Sequence, residues 1–590
     1  MAVAAPVQAQ EKPLSLVPLL NQDGKAVQQN GQVAPIQGGG NTAPQIQPQN
    51  TVEQAEPKLP EKGEMNGTVL VQPLGSLDEA SVGTLGSSNG GFGPDMWRGT
   101  PPSRIKTLLS MLPVANSPSM QDMSRRLLLT AAAIPQGGDR SGELLSIRIG
   151  KLRESGHVAA AAALLDRLPA SALTPELEKS AIELLLLQGK NKEACDQVNA
   201  APVSAKGRFW EKVGIFCELI SGEMTKAEIG ISLLEEEEGR DGLFFALFDR
   251  LDGGKAALPD TDQPLTPLHF AMMSVAGLQM SYAKAEKAGY DLLWALAKQT
   301  TATKDSRFMA AYASLAVDSL PADLPRQLIK QGALEGDDDG SVDLRHIAAL
   351  YRQTESEHIP EEKARLLSEI WASGDQDNSY LAAGRLSLPL LQSLDPGVAG
   401  GEFELDALGL LLMNDDNADA MAWERAIRRA ALRGTEADRQ SATRQIARAD
   451  AYMLISGLAG IARWTPSHFK EAAFAKGNGM EQPDNLGFVL AMLAALDEDV
   501  PDALWAEALG KGQMPETGTS NVVISKNLEI AADADRIGET VALSLAALGD
   551  GGPANATVGT LSLVVRSLQK IGLEKEARRL ALEAAVLRNL

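Results

Sequence analysis

The stretch ELLSIRIGKLRESGHVAAAAALL (Glu143–Leu165) is followed by two segments built to the same plan, ELEKSAIELLLLQGKNKEACDQV (Glu176–Val198) and FWEKVGIFCELISGEMTKAEIGI (Phe209–Ile231). Aligned on Gly156, Gly189 and Gly222, they repeat every 33 residues. Five residues after each glycine stands Ala161, Ala194 or Ala227, and seven before stands Ile149, Ile182 or Ile215. Leu165, Val198 and Ile231 follow at nine, while Leu144, Leu177 and Trp210 precede at twelve. Gly572, with Ala577 ahead and Val565 behind, carries the same template near the end of the chain. Apolar residues at helical spacing on both sides of a glycine describe two antiparallel helices. The glycine ends the first helix in a left-handed conformation that strains other residues. The alanine lets the second helix approach closely, and the apolar positions fill the seam.

The rest of the chain agrees with this plan. Its 590 residues are too many for one compact core. Only 4% are aromatic while Ala and Leu abound, a balance that favours packed helices over sheets. The expected fold is therefore all-α, a solenoid of stacked antiparallel helical hairpins behind a disordered N-terminal tail. Residues 1–9 read as a residual signal-like segment and 10–95 as the tail, rich in Gln, Pro and Gly, which buries too little apolar surface to offset its ordering entropy. Within it, Thr68–Leu85 could form a short hairpin, and GSSNGGFG (Gly86–Gly93) reads as a hinge. Residues 96–252 form the N-terminal repeats, 253–400 a middle helical block and 401–590 the C-terminal repeats. SRIKTLLSMLP places Ile105, Leu108, Leu109 and Leu112 on one helical face, and MSRRLLLTAAAIP predicts a second helix reaching to Pro135.

The period, and the small residue five after the loop glycine, resemble the tetratricopeptide repeat, whose period is about 34. The resemblance covers Gly142–Leu234 and a terminal unit over Thr557–Leu587. The family's Trp-Leu-Gly-Tyr pattern is absent and the spacing is one short, so the repeats are degenerate. It implies an extended concave surface suited to peptides or protein helices.

A net charge of -22 repels nucleic-acid phosphates and anionic headgroups, so nucleic acid is not an expected partner. No apolar run is long enough to span a bilayer. Val7-Gln8-Ala9 fits the small-x-small pattern of a signal-peptide cleavage site, which predicts export, to the periplasm in a Gram-negative cell. Cys195 and Cys217 are the only cysteines. They fall on neighbouring antiparallel helices at similar distances from the turn near Ala205, which makes them a candidate disulfide.

No defensible catalytic signature appears, and no cofactor is expected. The five histidines form no HExxH pair, there is no CxxC, and no phosphate-binding loop exists. Glu335, Asp337, Asp339 and Asp343 in EGDDDGSVDLRH occupy oxygen-ligand positions of an EF-hand, but Glu335 stands first and His346 last where acids of another kind belong. The bland reading is a solvated acidic turn. Glu235–Glu238 reads as a solvated helix end. Trp97 and Arg98, at the junction of tail and repeats, are interface candidates by residue type, with a capping role as the alternative. These features together predict a non-catalytic scaffold of the cell envelope that binds a protein partner. The alternatives are a cell-wall enzyme on a helical superhelix, similar to lytic transglycosylases but lacking their motif context at Glu154 and Glu355, and a purely structural spacer.

Overall fold

The 33-residue template folds as drawn. In the computed structural model, Glu143–Glu154 and Val158–Leu165, Pro175–Leu187 and Asn191–Ala200, and Arg208–Ile220 and Met224–Glu235 form three successive hairpins. Gly156, Gly189 and Gly222 take φ of 77°, 71° and 78°, and Ala161, Ala194 and Ala227 are completely buried. At each turn the residue after the glycine donates its N–H to the carbonyl five residues back, as His157 does to Leu152 at 2.7 Å. This bond closes the exposed helix end. Residues 81–590 are described here, except 136–141, 170–171, 201–206, 236–240, 256, 260–262, 336–341, 376–378, 431, 433–435, 459–482 and 511–520.

Every regular element among the described residues is helical, apart from a single parallel bridge between Leu85 and Thr130. The middle and C-terminal helices continue the antiparallel stacking, but four of their turns use aspartate where the template has glycine. Asp318, Asp415, Asp497 and Asp535 have φ between 51° and 68°. Each is followed by the same five-back bond, including Asp416 N–H to Leu411 O and Glu498 N–H to Leu493 O, both at 3.0 Å. Seven residues before these turns lie Ala311, Leu408, Leu490 and Leu528, all fully buried, so the seam position of the template persists. Aspartate tolerates the left-handed region better than most residues. Two of these carboxylates have a second use, since Asp318 pairs with Arg385 and Asp415 with Arg579.

Gly156 combines a left-handed backbone with crowded surroundings. A Cβ there would lie 2.8 Å from Ser319 Oγ and 3.1 Å from Tyr290 Cβ, whereas one on Gly189 would meet nothing within 4 Å. Gly189→Ala should therefore cost only the conformational strain, about 1 kcal/mol. Gly156→Ala should cost about 2–3 kcal/mol, because the helix Tyr290–Lys298 must also retreat. Denaturant melts of the two variants check this; equal losses would mean the contact with Tyr290 carries no weight.

The array does not end in two free tips. Pro102–Ser110 and Pro118–Leu129 pack on Ile537–Leu548, and Pro118–Leu129 also packs on Glu574–Leu587. The terminal helix further meets Glu402–Met413 and Glu436–Ile455, and Ala577, Ala581, Ala584 and Ala585 are buried where neighbours come close. Trp97 lies against Gly538, where a Cβ would sit 2.8 Å from the indole, and Gly538 N–H donates to Met96 O at 2.8 Å. Glu539, with no exposed side-chain surface, accepts from Thr100 Oγ1 at 3.0 Å and pairs with Arg104 at 2.7 Å and Arg536 at 3.2 Å. Arg126 meets Glu576 at 2.5 Å.

Two expectations need correction. The order expected from residue 96 begins earlier: residues 81–94 run over Pro118–Leu129 as a strap, with Thr84 N–H on Leu129 O at 2.9 Å and Ala131 N–H on Leu85 O at 2.8 Å. Phe92 is buried beneath the Arg126 guanidinium, 4.5 Å from the ring centre. The strap pairs with Thr130–Ala133, so the second helix stops at Leu129 and TAAAI runs extended instead of continuing toward Pro135. The tail from residue 10 to 80 and most of the Thr68–Leu85 hairpin lie outside the described residues.

Candidate functional site

The strap is fastened from below by Arg148, on the first helix of the first hairpin. Its Nε donates to Leu128 O and its Nη1 to Val82 O, both at 2.7 Å, and Nη2 reaches Thr130 O at 3.3 Å. Burial lowers this guanidinium to about 10, which leaves it charged at neutral pH. On the terminal helix, Glu583 is fully buried and accepts from Ser119 N–H at 3.0 Å. Burial pushes its carboxyl up, and the Ser117 and Ser119 hydroxyls draw it back in part. It borders a cleft of about 360 Å³ where Asn116, Tyr290, Tyr380, Asp550 and Arg588 converge from distant parts of the chain. Asp550 is already engaged there by Val114 N–H at 3.2 Å.

A third polar cluster joins three helices. Asp241 caps Gly242–Leu251 by accepting from Phe244 N–H, and it receives His269 Nε2 at 3.0 Å and Lys212 Nζ at 2.7 Å. Burial alone would raise this carboxyl, but the bonds from His269 and Lys212 hold it well below the ordinary range. His269 Nδ1 faces Thr266 N–H in a capping box, so both ring nitrogens are committed to helix ends. The arrangement fixes helix positions and leaves no nitrogen to act as a base.

His157 sits buried after the Gly156 turn, and burial, aided by Arg125, lowers it to about 4. The unfolded chain binds this proton below about 6.5 and the folded chain only below about 4, so stability should fall as pH drops through that window and level off beneath it. The expected loss is at most about 3 kcal/mol. His157→Gln should remove this component from the difference between melts at pH 7 and pH 4.5; an unchanged difference would assign the acid sensitivity elsewhere.

The third hairpin carries an apolar opening. A groove of about 650 Å³ is lined by Gly214, Ile215, Glu218, Ile229, Gly230 and Leu233, with Glu211, Lys226 and Leu234 around it. Met224–Glu235 buries only Ala227 and Leu234 in its seam, while Ile229 and Leu233, one turn apart on the same face, are 58% and 63% exposed. The cause is a break in the stacking. The next helices, Gly242–Leu251 and Pro267–Val275, pack on each other, and the latter crosses back onto Pro175–Leu187. Among the described residues, Met224–Glu235 packs broadly on Arg208–Ile220 alone. Its outer face is where the first helix of a following hairpin would lie.

Asn191–Ala200 and Arg208–Ile220 are neighbours, and Cys195 is bonded to Cys217 across them with Cα atoms 5.5 Å apart. The bond therefore ties the third hairpin to the second. On the chain-entropy model a loop of this length is worth about 3 kcal/mol. Reduction should lower protection from hydrogen exchange in Arg208–Glu235 while sparing Glu402–Leu590; uniform loss, or none, would contradict this.

The other residues picked from the sequence fall apart in space. Trp97 is 3% exposed and spent on Gly538, so it is unavailable as a partner hot spot and acts as an internal cap instead. Arg98 beside it is exposed. Glu335 is exposed and pairs with Arg352 at 3.9 Å, and Asp343 is exposed in the first turn of Val342–Ser356. Asp337 and Asp339 lie outside the described residues. Among the described residues no group of three or more His, Cys, Asp or Glu side chains is placed to hold a metal ion, and no helix is long and apolar enough to cross a membrane. Sequence reasoning missed Ile229 and Leu233; the available signal was that the 33-residue series stops at Gly222.

No family model matches the chain, and no curated protein matches it.

Proposed function

We propose that this protein is a non-catalytic, tetratricopeptide-like interaction scaffold of the bacterial cell envelope, working outside the cytoplasm. The observation that carries the reading is the third hairpin. A repeat unit that cannot bury its own apolar face needs a neighbour, and terminal units of self-sufficient arrays are capped by polar residues. Here the outward face presents Ile229 and Leu233 instead. The Cys195–Cys217 bond supports an oxidising compartment. Asp241, His269, Glu539 and Glu583 are engaged with helix ends, backbone amides and ion pairs, which is the economy of a structural protein.

Crosslinking and mass spectrometry on intact cells tests this directly. A reproducible protein neighbour is expected; its absence, or release of soluble fragments from peptidoglycan by the purified protein, would replace the scaffold reading with the spacer or the enzyme.

A further inference from the structure

The uncovered face of the third hairpin also indicates what covers it. Its geometry asks for a helix, since the face lies where the stacking would place the next one, and Ile229 and Leu233 offer exposed apolar seats one turn apart, with the buried Ile215 also lining the groove. Its rim is acidic. Of the charged side chains that line it, Glu211 and Glu218 are acidic and Lys226 alone is basic, and that lysine is already paired with Glu223 of the turn. Glu218 already feels the crowding: burial pushes its carboxyl up, Glu223 adds to the shift and Lys226 opposes it.

We infer that the groove of the third hairpin docks an amphipathic helix of a partner protein whose apolar stripe is flanked by lysine or arginine. This rests on the scaffold reading and names the chemistry of the partner. A second copy of the chain fits less well, because a symmetric pairing would bring Glu211 and Glu218 of both copies to one seam. An acidic or neutral helix would bring no positive charge to Glu211 and Glu218.

The test uses the full-length, oxidised protein and a fluorescent synthetic helical peptide with leucines at i, i+3, i+4 and i+7 and lysines on the flanking positions. Two control peptides accompany it, one of identical composition in shuffled order and one with each lysine replaced by glutamate. Anisotropy should show saturable binding of the first peptide alone, weakening as salt is raised. The double variant Ile229→Ser/Leu233→Ser, both positions being exposed, should keep the parent melting curve and lose at least about tenfold in affinity. Glu211→Gln/Glu218→Gln should weaken binding and flatten its salt dependence.

Equal binding of the shuffled or acidic peptide, or parent-like affinity in both variants, overturns the inference. So does a sedimenting dimer that the serine pair converts to monomer, which would assign the face to a second copy. If the peptide arms fail while crosslinking in cells still yields a partner, the scaffold stands and this docking site falls. Peptide binding with no cellular neighbour would sink the scaffold instead.

Discussion

Glu539→Ala is expected to cost about 3–5 kcal/mol and to release the N-terminal helices from the C-terminal repeats. The carboxylate has no exposed side-chain surface and faces two arginines and a threonine hydroxyl. Its removal leaves Arg104 and Arg536 beside each other without the charge that reconciles them. Arg104 is about a third exposed, so Arg104→Ala should cost far less, since water can serve the site and Arg536 still pairs. Glu539→Gln keeps the acceptor for Thr100 while losing the charge, and should fall between the two. Hydrogen exchange at Gly538 and Thr100, with proteolysis near Pro101, separates local release from global unfolding. A Glu539→Ala protein that melts and exchanges like the parent would show that Trp97 and the apolar contacts suffice.

The second large effect is expected at Arg148. Arg148→Met preserves much of the side chain's length but strands the carbonyls of Leu128, Val82 and Thr130, which the guanidinium now serves together. Unbonded buried carbonyls and the lost charge-assisted bonds should cost about 3 kcal/mol. The loss should concentrate in the strap: protection at Thr84, Leu85 and Ala131 should fall by about a hundredfold while the amides of Glu402–Met413 are unaffected. Arg148→Lys should rescue little, because one ammonium cannot meet three acceptors in a fork. Uniform exchange across the chain would argue that the strap is an integral part of the core.

What was legible in the sequence follows from how local the physics is. The glycine-centred template marked three hairpins and the terminal one because a left-handed turn, a close-packed alanine and a seam isoleucine all lie within one repeat. Between Leu234 and Thr557 the template was not traced, and there Asp318, Asp415, Asp497 and Asp535 perform the turn that a search keyed on glycine overlooks. Asp415 even keeps the rest of the pattern, with Leu408 and Ala420 fully buried at the expected offsets. Trp97 was recognised as unusual, yet its partner Gly538 lies far along the chain, and no local rule links them. The same holds for Arg148, which in sequence is one more basic residue on a helix. The groove at Ile229 and Leu233 was hidden for a different reason: their spacing is that of any helix interior, and only the path of the following helices leaves them bare.

The meeting of the two ends has a consequence for how the molecule comes apart. A linear stack can shed its outermost unit at little cost and unravel inward, because that unit has one neighbour. With Pro102–Leu129 clasped to Ile537–Leu587, such peeling has nowhere to start on that side until the clasp itself gives way. The third hairpin is the exception: its second helix packs broadly on its first alone, and the hairpin is held by the second hairpin, the sulfur bridge and the Lys212–Asp241 pair. Heating should therefore soften this lobe first, and the remainder should then yield in a single abrupt step.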